Sequence, residues 1–502
     1  MDIFTPSVPP KKRLPAAIHQ LSAGIQEAAN FLHFDKKEPY TPLQPNPRLS
    51  QLTEANVWLK LESESTTGAY KSRGAQNALK NVKKAVTASA GNHAQGFAYS
   101  FGNSGGQGTI YMPTTTPDFK IARTREFGGE NVEVVLTGNN FDEASHAMRD
   151  FAAQQKVPII HPFDNWDVIA GQGTVALELL ADMKEKPIDY IIIPVGGGGL
   201  SAGMATWMAI HSPRTQIIVV EPENADAMKK SMESGKIITL NHLDTFVDGA
   251  AVKTPGEKNF TTLRLLPNVS YMTVKPGALS HEMCQLHDYD KKVVEPAGAL
   301  SVAALRELAK NKSLLGKNII CVVTGGNIGM ERWPDIRRRS YEHLGQEKEF
   351  KIAVKNSPGE LRKILEKFVD GNQIVLLRFD HLEGPDDVAC TIRLRNIANP
   401  GKITETERAM TEAGIMWGDR PEESKISQQH SYPFRKHFIL KLPNKPGALL
   451  EALKLQGDDT NIIGFDYNNQ GFQEARCSVT IASKGEAELH QFIRAIEEAG
   501  FY

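Results

Sequence analysis

At 502 residues the chain is too long for one ordinary core of roughly 100–200 residues, so two to four domains are expected. Lys and Arg total 58 against 59 Asp and Glu, a formal charge of −1, which excludes an overall field for holding nucleic acid or an anionic membrane. The four cysteines (Cys284, Cys321, Cys390, Cys477) are far apart and form no Cys-x-x-Cys pair, which argues against a disulfide framework or a cysteine-ligated zinc and fits a reducing cytoplasm.

Residues 1–13 hold no apolar core of secretory type, and Asp2 with three prolines suits a transit helix poorly, so a short disordered lead is predicted. From about Val57 to about Gly329, β-branched runs at 108–112, 132–136, 190–195, 216–220 and 318–323 alternate with helix-like stretches. That alternation is the pattern of a parallel sheet covered on both faces. The uncharged run 190–210 has the length of a membrane span, but Pro194 and Gly196 to Gly199 break it, so it reads as strand, loop and helix. Two apolar runs end in glycine clusters, Gly196 to Gly199 and Gly325-Gly326. The carboxyl ends of strands are where open α/β sheets bind ligands.

After about Ser340 the texture changes. Residues 350–361 are echoed 88 residues later by 438–449, each a strand, a Pro-Gly turn and a helix. Further strands are predicted at 373–379 and 387–393 in the first copy, and at 461–465 and 474–481 in the second. A βαββαβ plan repeated in this way predicts two ferredoxin-like modules, with polar residues 419–433 as the linker. The expected domains are 1–340, 341–430 and 431–502.

Two mechanisms compete for the first glycine cluster. Gly197, Gly199 and Ala202 match a loose dinucleotide fingerprint, with Glu221 at a strand end about 20 residues on. A phosphate site needs less: glycines let backbone N–H groups approach an anion, and the positive end of the following helix adds attraction. A tight structural turn needs no ligand at all. Lys71 lies among Gly68, Ala69, Gly74 and Ala75, a small-residue context unlike a solvated charged face. Buried near a phosphate, its amine would suit a Schiff base with pyridoxal phosphate, if deprotonated well below its usual pKa of about 10.4.

Residues 66–75, 89–96, 196–200, 295–299 and 324–327, in this order, resemble the pyridoxal-phosphate enzymes of the tryptophan-synthase β family. Within it the resemblance is greatest to the biosynthetic threonine ammonia-lyases (threonine dehydratases), and several motifs are shared with serine racemases and serine dehydratases. It covers nearly the whole chain. The implied fold is an α/β, fold-type-II catalytic domain of two subdomains followed by two α+β ferredoxin-like (ACT-like) regulatory modules.

The resemblance implies that Lys71 is the Schiff-base lysine, that Asn92 bonds the cofactor's phenolic oxygen, and that Thr324 meets its ring nitrogen. Gly196, Gly197, Gly198 and Gly199, with Leu200, would cradle the phosphate, and Ser89, Ala90, Gly91 and His93 would receive the substrate carboxylate. Read locally, the same loop is a helix start with Ser89 or Asn92 as N-cap. Ala69 and Thr324 stand where Ser is commoner in the family. Glu221, Glu223 and Asp226 resemble the start of a cation site in serine racemase, but Ala227 replaces a second carboxylate, and no metal is expected.

The implied activity is deamination of L-threonine to 2-oxobutanoate and ammonia, and of L-serine to pyruvate, as the first step of isoleucine biosynthesis. Isoleucine would inhibit and valine oppose it through the tail, in a homotetramer. The alternatives are a serine/threonine dehydratase or serine-racemase-like enzyme whose tail serves assembly, a non-catalytic amino-acid sensor, and a nicotinamide-dependent dehydrogenase.

Overall fold

A computed structural model of the chain describes residues 3–5, 14–36, 38–184, 186–355, 357–369, 374–381, 387–416, 433–443, 448–457, 459–468 and 474–501. The chain divides into two compact units, Met1–Ser340 and Tyr341–Tyr502.

In the first unit the strands are, in chain order, Leu43–Pro45 (β1), Asn56–Leu61 (β2), Lys84–Ala88 (β3), Gln107–Met112 (β4), Val132–Leu136 (β5), Tyr190–Pro194 (β6), Gln216–Pro222 (β7), Val269–Val274 (β8) and Asn318–Val323 (β9). They make a six-stranded sheet ordered β1-β2-β9-β6-β7-β8 and a three-stranded sheet β3-β4-β5. All pairings are parallel except β1 with β2. Strand β6 shows why its run is apolar throughout: Ile191 and Ile193 pack into the cluster containing Ile25, Val175 and Met204, while Ile192 packs on the other face with Leu279 and Leu300. A strand buried on both faces cannot alternate polar and apolar residues. The predicted break after β6 is there: the chain turns through Gly196 to Gly198 into the helix Gly199–His211. No described helix is long and apolar enough to cross a membrane.

Part of the supposedly disordered lead is ordered. The backbone of Phe4 pairs with that of Tyr271 in β8, N–H to carbonyl at 2.9 and 2.8 Å in the two directions. Edge strand β8 had unpaired backbone groups to offer, and these outweigh the weak local propensity of the lead.

The second unit holds Glu347–Lys355 (β10), Val375–His381 (β11), Asp387–Arg395 (β12), Phe434–Pro443 (β13), Thr460–Asn468 (β14) and Glu474–Ser483 (β15) in one antiparallel sheet ordered β10-β12-β11-β14-β15-β13. The sequence echo is an echo of burial. Phe350, Ile352 and Val354 on β10 and Phe438, Leu440 and Leu442 on β13 are all buried, alternating with less buried positions. The copies join where β11 pairs with β14, Phe379 opposite Phe465. Among the described residues each copy runs βαββα. At the place of a fourth strand the described residues show, in each copy, a backbone hydrogen bond to the first strand, from Ala353 N–H to the Ile415 carbonyl (2.8 Å) and from Lys441 N–H to the Phe501 carbonyl (2.7 Å). Apart from Pro433, the predicted linker lies outside the described residues, as do Asn356 and the turn 444–447.

Candidate active site

Lys71 opens the helix Lys71–Leu79, whose remaining residues are all buried. The loop before it is stitched to the end of β9: Tyr70 N–H donates to the Thr324 carbonyl (3.2 Å) and Gly326 N–H to the Gly68 carbonyl (2.9 Å). Burying this helix requires a close neighbour. A Cβ on Gly171, in the helix Trp166–Met183, would stand 2.6 Å from the Arg73 carbonyl oxygen, so only glycine fits at the crossing.

Two residues beyond Lys71, Arg73 anchors the same helix. Its guanidinium meets Glu62 (2.8 and 3.0 Å), Glu178 (2.5 and 3.0 Å), Thr174 (3.1 Å) and Thr41 (3.1 Å). Lys60 adds a contact to Glu178 at 2.7 Å, and all these groups are buried. Burial by itself would raise the Glu178 carboxyl; Arg73, with His33 and Lys60, holds it well below the usual carboxylate range. The sequence assigned no role to Arg73, Glu62 or Glu178, because ion partners as far as 105 positions apart leave no local pattern.

The amine of Lys71 donates to the Pro162 carbonyl at 3.3 Å and shares one cleft with Gly196, Gly197, Gly198, Gly199 and Leu200. The loop is packed so tightly that side chains are excluded. A Cβ on Gly197 would overlap the ring of Phe163, and Gly198 has φ +100°, with Asn259 against the position of its Cβ. Asn259 Nδ2 clamps the loop by donating to the carbonyls of Phe163 (2.9 Å) and Gly197 (2.8 Å). Phe163 and Asn259 were not foreseen; both act on the glycine backbone, which carries no side-chain signature.

Thr324, at the end of β9, is 3% exposed and its Oγ1 has no hydrogen-bond partner. Ser89, Ala90 and Gly91 follow β3 as a half-buried loop, and Gly91 rather than Ser89 or Asn92 is the N-cap of the helix Asn92–Ser104. No side-chain cap bond closes that helix start. His93 turns inward, its Nε2 3.3 Å from the Ile160 carbonyl; burial, and then the Lys71 charge, push its pKa down to about 3, so the ring is neutral. Asn92 Nδ2 donates to both oxygens of Glu295, at 2.8 and 3.0 Å. Ala90 also lines a neighbouring cavity with Phe119, Lys120, Asp248, Asn327 and Arg332.

Glu221 does not serve as the dinucleotide reading required. Its two oxygens accept from the backbone N–H groups of Met228 and Lys229, both at 2.8 Å, at the start of the helix Ala227–Ser234. Burial pushes its pKa up to about 8. A carboxylate so engaged is not free to meet a ribose, nor to open a cation site. Among the described residues, no three acidic, histidine or cysteine side chains are placed to hold a metal.

The chemistry present fits pyridoxal phosphate. A side-chain-free loop at a helix start suits its phosphate, an amine in the same cleft suits its aldehyde, and an unsatisfied buried hydroxyl suits its ring nitrogen.

Known proteins agree with that fit. The family described as pyridoxal-phosphate dependent enzyme matches residues 35–325. The biosynthetic L-threonine dehydratase of Corynebacterium glutamicum is 41% identical over 352 residues, covering 68% of this chain and 80% of that protein. That of Bacillus subtilis is 38% identical, covering 73% and 88%. Among solved structures, the processed form of threonine deaminase isoform 2 from Solanum lycopersicum is similar with a TM-score of 0.62 and 32% identity, over 68% of this chain and 92% of that one. A family match over more than half of the sequence, with relatives covered over four-fifths of their length, makes this chain a member of the pyridoxal-phosphate dependent enzymes, in the group of the biosynthetic L-threonine dehydratases.

Proposed function

We propose that the first unit deaminates L-threonine to 2-oxobutanoate and ammonia, with L-serine to pyruvate as a second reaction, and that the second unit regulates it. The observation that carries the reading is the single cleft shared by the Lys71 amine and the glycine loop. Relatives named for threonine dehydration support the substrate.

Pyridoxal phosphate, when bound, supplies the electron sink that lets the amino acid lose its Cα proton and then its β-hydroxyl as water. Lys71 is the residue to hold the aldehyde and, once freed by the substrate amine, to take the Cα proton. A base so placed is typically worth about 10²–10⁴-fold. Gly196 to Gly199 and Leu200 hold the phosphate by backbone N–H groups. Thr324 Oγ1 offers a neutral hydroxyl to the ring nitrogen, which keeps that nitrogen largely unprotonated and favours elimination over transamination. Ser89, Ala90, Gly91 and His93 receive the substrate carboxylate, at a helix start whose N–H groups no side chain caps. His93 acts there through its backbone, since its neutral ring faces Ile160.

The regulatory reading rests on the doubled tail. Two copies in one sheet offer two related places for an amino-acid effector, isoleucine as inhibitor and valine as its antagonist, coupled to the site by the roughly 1–3 kcal/mol usual for allostery. We assign the modules to 341–430 and 431–502, the assembly to a homotetramer, and the setting to the cytoplasm, which suits four buried free thiols. The test is keto-acid production from L-threonine by the pure protein with pyridoxal phosphate, repeated with isoleucine. Turnover that isoleucine suppresses supports both parts. Turnover indifferent to isoleucine removes the regulatory part, and no keto acid from threonine or serine removes the whole reading.

A further inference from the structure

Asn92 is gripped at both ends of its amide. Its Nδ2 donates to the two oxygens of Glu295, and its Oδ1 accepts from Asn327 Nδ2 at 2.9 Å, which also donates to the Thr67 carbonyl at 2.8 Å. An amide can be turned end for end without changing shape, so its orientation is set by its partners. An ionised carboxylate only accepts and an amide NH2 only donates. Between Glu295 and Asn327, therefore, one orientation of Asn92 satisfies both.

Glu295 is itself held rigidly. Its N–H donates to the Gly325 carbonyl (3.0 Å), and it stands just before the helix Pro296–Asn311. Its carboxylate lies where a Cβ on Gly325 would be 2.5 Å, and one on Gly249 3.3 Å, from Oε1. At 6% exposure such a carboxyl is costly to bury, whereas a glutamine of the same shape would offer Asn92 one acceptor oxygen in place of two. Packing alone thus leaves the charge of Glu295 unexplained, and its two-oxygen grip on Asn92 is what a carboxylate adds.

We propose that Glu295 is a positioning residue of this site, which fixes Asn92 by sharing one of its N–H groups between two carboxylate oxygens, leaves the other N–H to donate toward the cofactor, and makes the firmness of that grip depend on its own charge. The inference rests on the reading of Asn92 as the donor to the cofactor's phenolic oxygen. The groups facing the Glu295 carboxyl are Asn92 and Lys71, Lys120 of the helix Asp118–Gly128, and Asp248. Burial, and then Asp248, push its pKa up to about 7 against Asn92, Lys120 and Lys71. Its charge therefore changes in the neutral range. When protonated, one of its oxygens becomes a donor, and the match to Asn92 Nδ2 is lost on that side.

Three proteins test this: the unmodified chain, Glu295→Gln and Glu295→Ala, each titrated with pyridoxal phosphate by ultrafiltration from about pH 6 to about pH 8, with absorbance spectra and melting temperatures recorded alongside. Glu295→Gln keeps an acceptor for Asn92 but has no charge to lose. The unmodified chain should lose cofactor affinity on the acid side more steeply than Glu295→Gln, by about tenfold over the range, and Glu295→Ala should bind about tenfold more weakly at pH 8. A Glu295→Gln profile that parallels the unmodified one overturns the proposal, whether or not Glu295→Ala folds. Lys71→Ala in the same titration separates the two levels. If it keeps the visible absorbance, the site reading itself falls; if it loses it while Glu295→Gln shows no change in slope, only the role of Glu295 falls.

Discussion

The ring of Phe163 covers Gly197 so closely that no side chain fits between them, and Asn259 ties the carbonyls of the two residues together. The glycine loop is therefore shaped from outside, by an aromatic ring and an amide that belong to other segments. Gly197→Ala would push Phe163 aside, costing about 1–3 kcal/mol of stability as overpacking does. Because the pushed loop is the phosphate cradle proposed above, cofactor affinity should fall at least about tenfold, read by equilibrium dialysis. Unchanged affinity would show that the loop does not hold the phosphate.

Lys71→Ala should abolish the visible absorbance of the loaded protein and cut keto-acid formation by about 10²–10⁴-fold. The Arg73 anchor does not involve the Lys71 side chain, so circular dichroism should stay as it was. Persistent absorbance would place the aldehyde on another amine.

Arg73→Ala strands Glu62 and Glu178 in a buried pocket, and breaking such a cluster typically costs about 3–5 kcal/mol. Glu178 also gives the first unit an acid limit. Its folded pKa is lowered from an unfolded value near 4.5, so its contribution is fully present above about pH 4.5 and is lost as the pH falls below it. Glu178→Gln should be less stable at pH 7 and flatter in acid, by denaturant titration. An acid slope equal to that of the unmodified chain would remove Glu178 from the account.

In the lining of the cavity beside Ala90, Asp248 meets Lys120 at 2.5 Å and Arg332 at 3.3 Å. Lys120 follows β4 of the three-stranded sheet, whereas Asp248 and Arg332 belong to the segments around the six-stranded one. Asp248→Asn should therefore raise KM for threonine several-fold, with a change in stability of no more than about 1 kcal/mol, as expected of a half-exposed pair. High salt should reproduce part of the effect in the unmodified chain only. Equal salt sensitivity in both proteins would count against the bridge.

The sequence announced those parts of the fold that repeat or run long. Strand β9 was bounded correctly at both ends because a buried parallel strand is an unbroken apolar run, and β10 and β13 were found through their shared Pro-Gly turn. Strand β3 was missed: Lys84 to Ala88 contains one strongly β-forming pair, Val86 and Thr87, and owes the rest to pairing with β4. The site residues were legible where they stand in a recognisable string, and the structure places Lys71 in the cleft of the glycine loop, Asn92 at a helix start and Thr324 buried after β9. The site was illegible wherever one side chain holds another in place. Glu295 was quoted as part of a motif, yet its grip on Asn92 spans 203 positions. Glu221 was left between alternatives because a carboxylate at a strand end looks alike whether it faces a ligand or, as here, the next helix.

The tail has two copies of a motif but only one sheet. Phe379 and Phe465 face each other on strands that are hydrogen-bonded neighbours, so no solvent gap or flexible joint separates the copies where β11 meets β14. Five successive ladders run without a break from β10 to β13. Duplication here has produced a single plate with two ends rather than two separate beads.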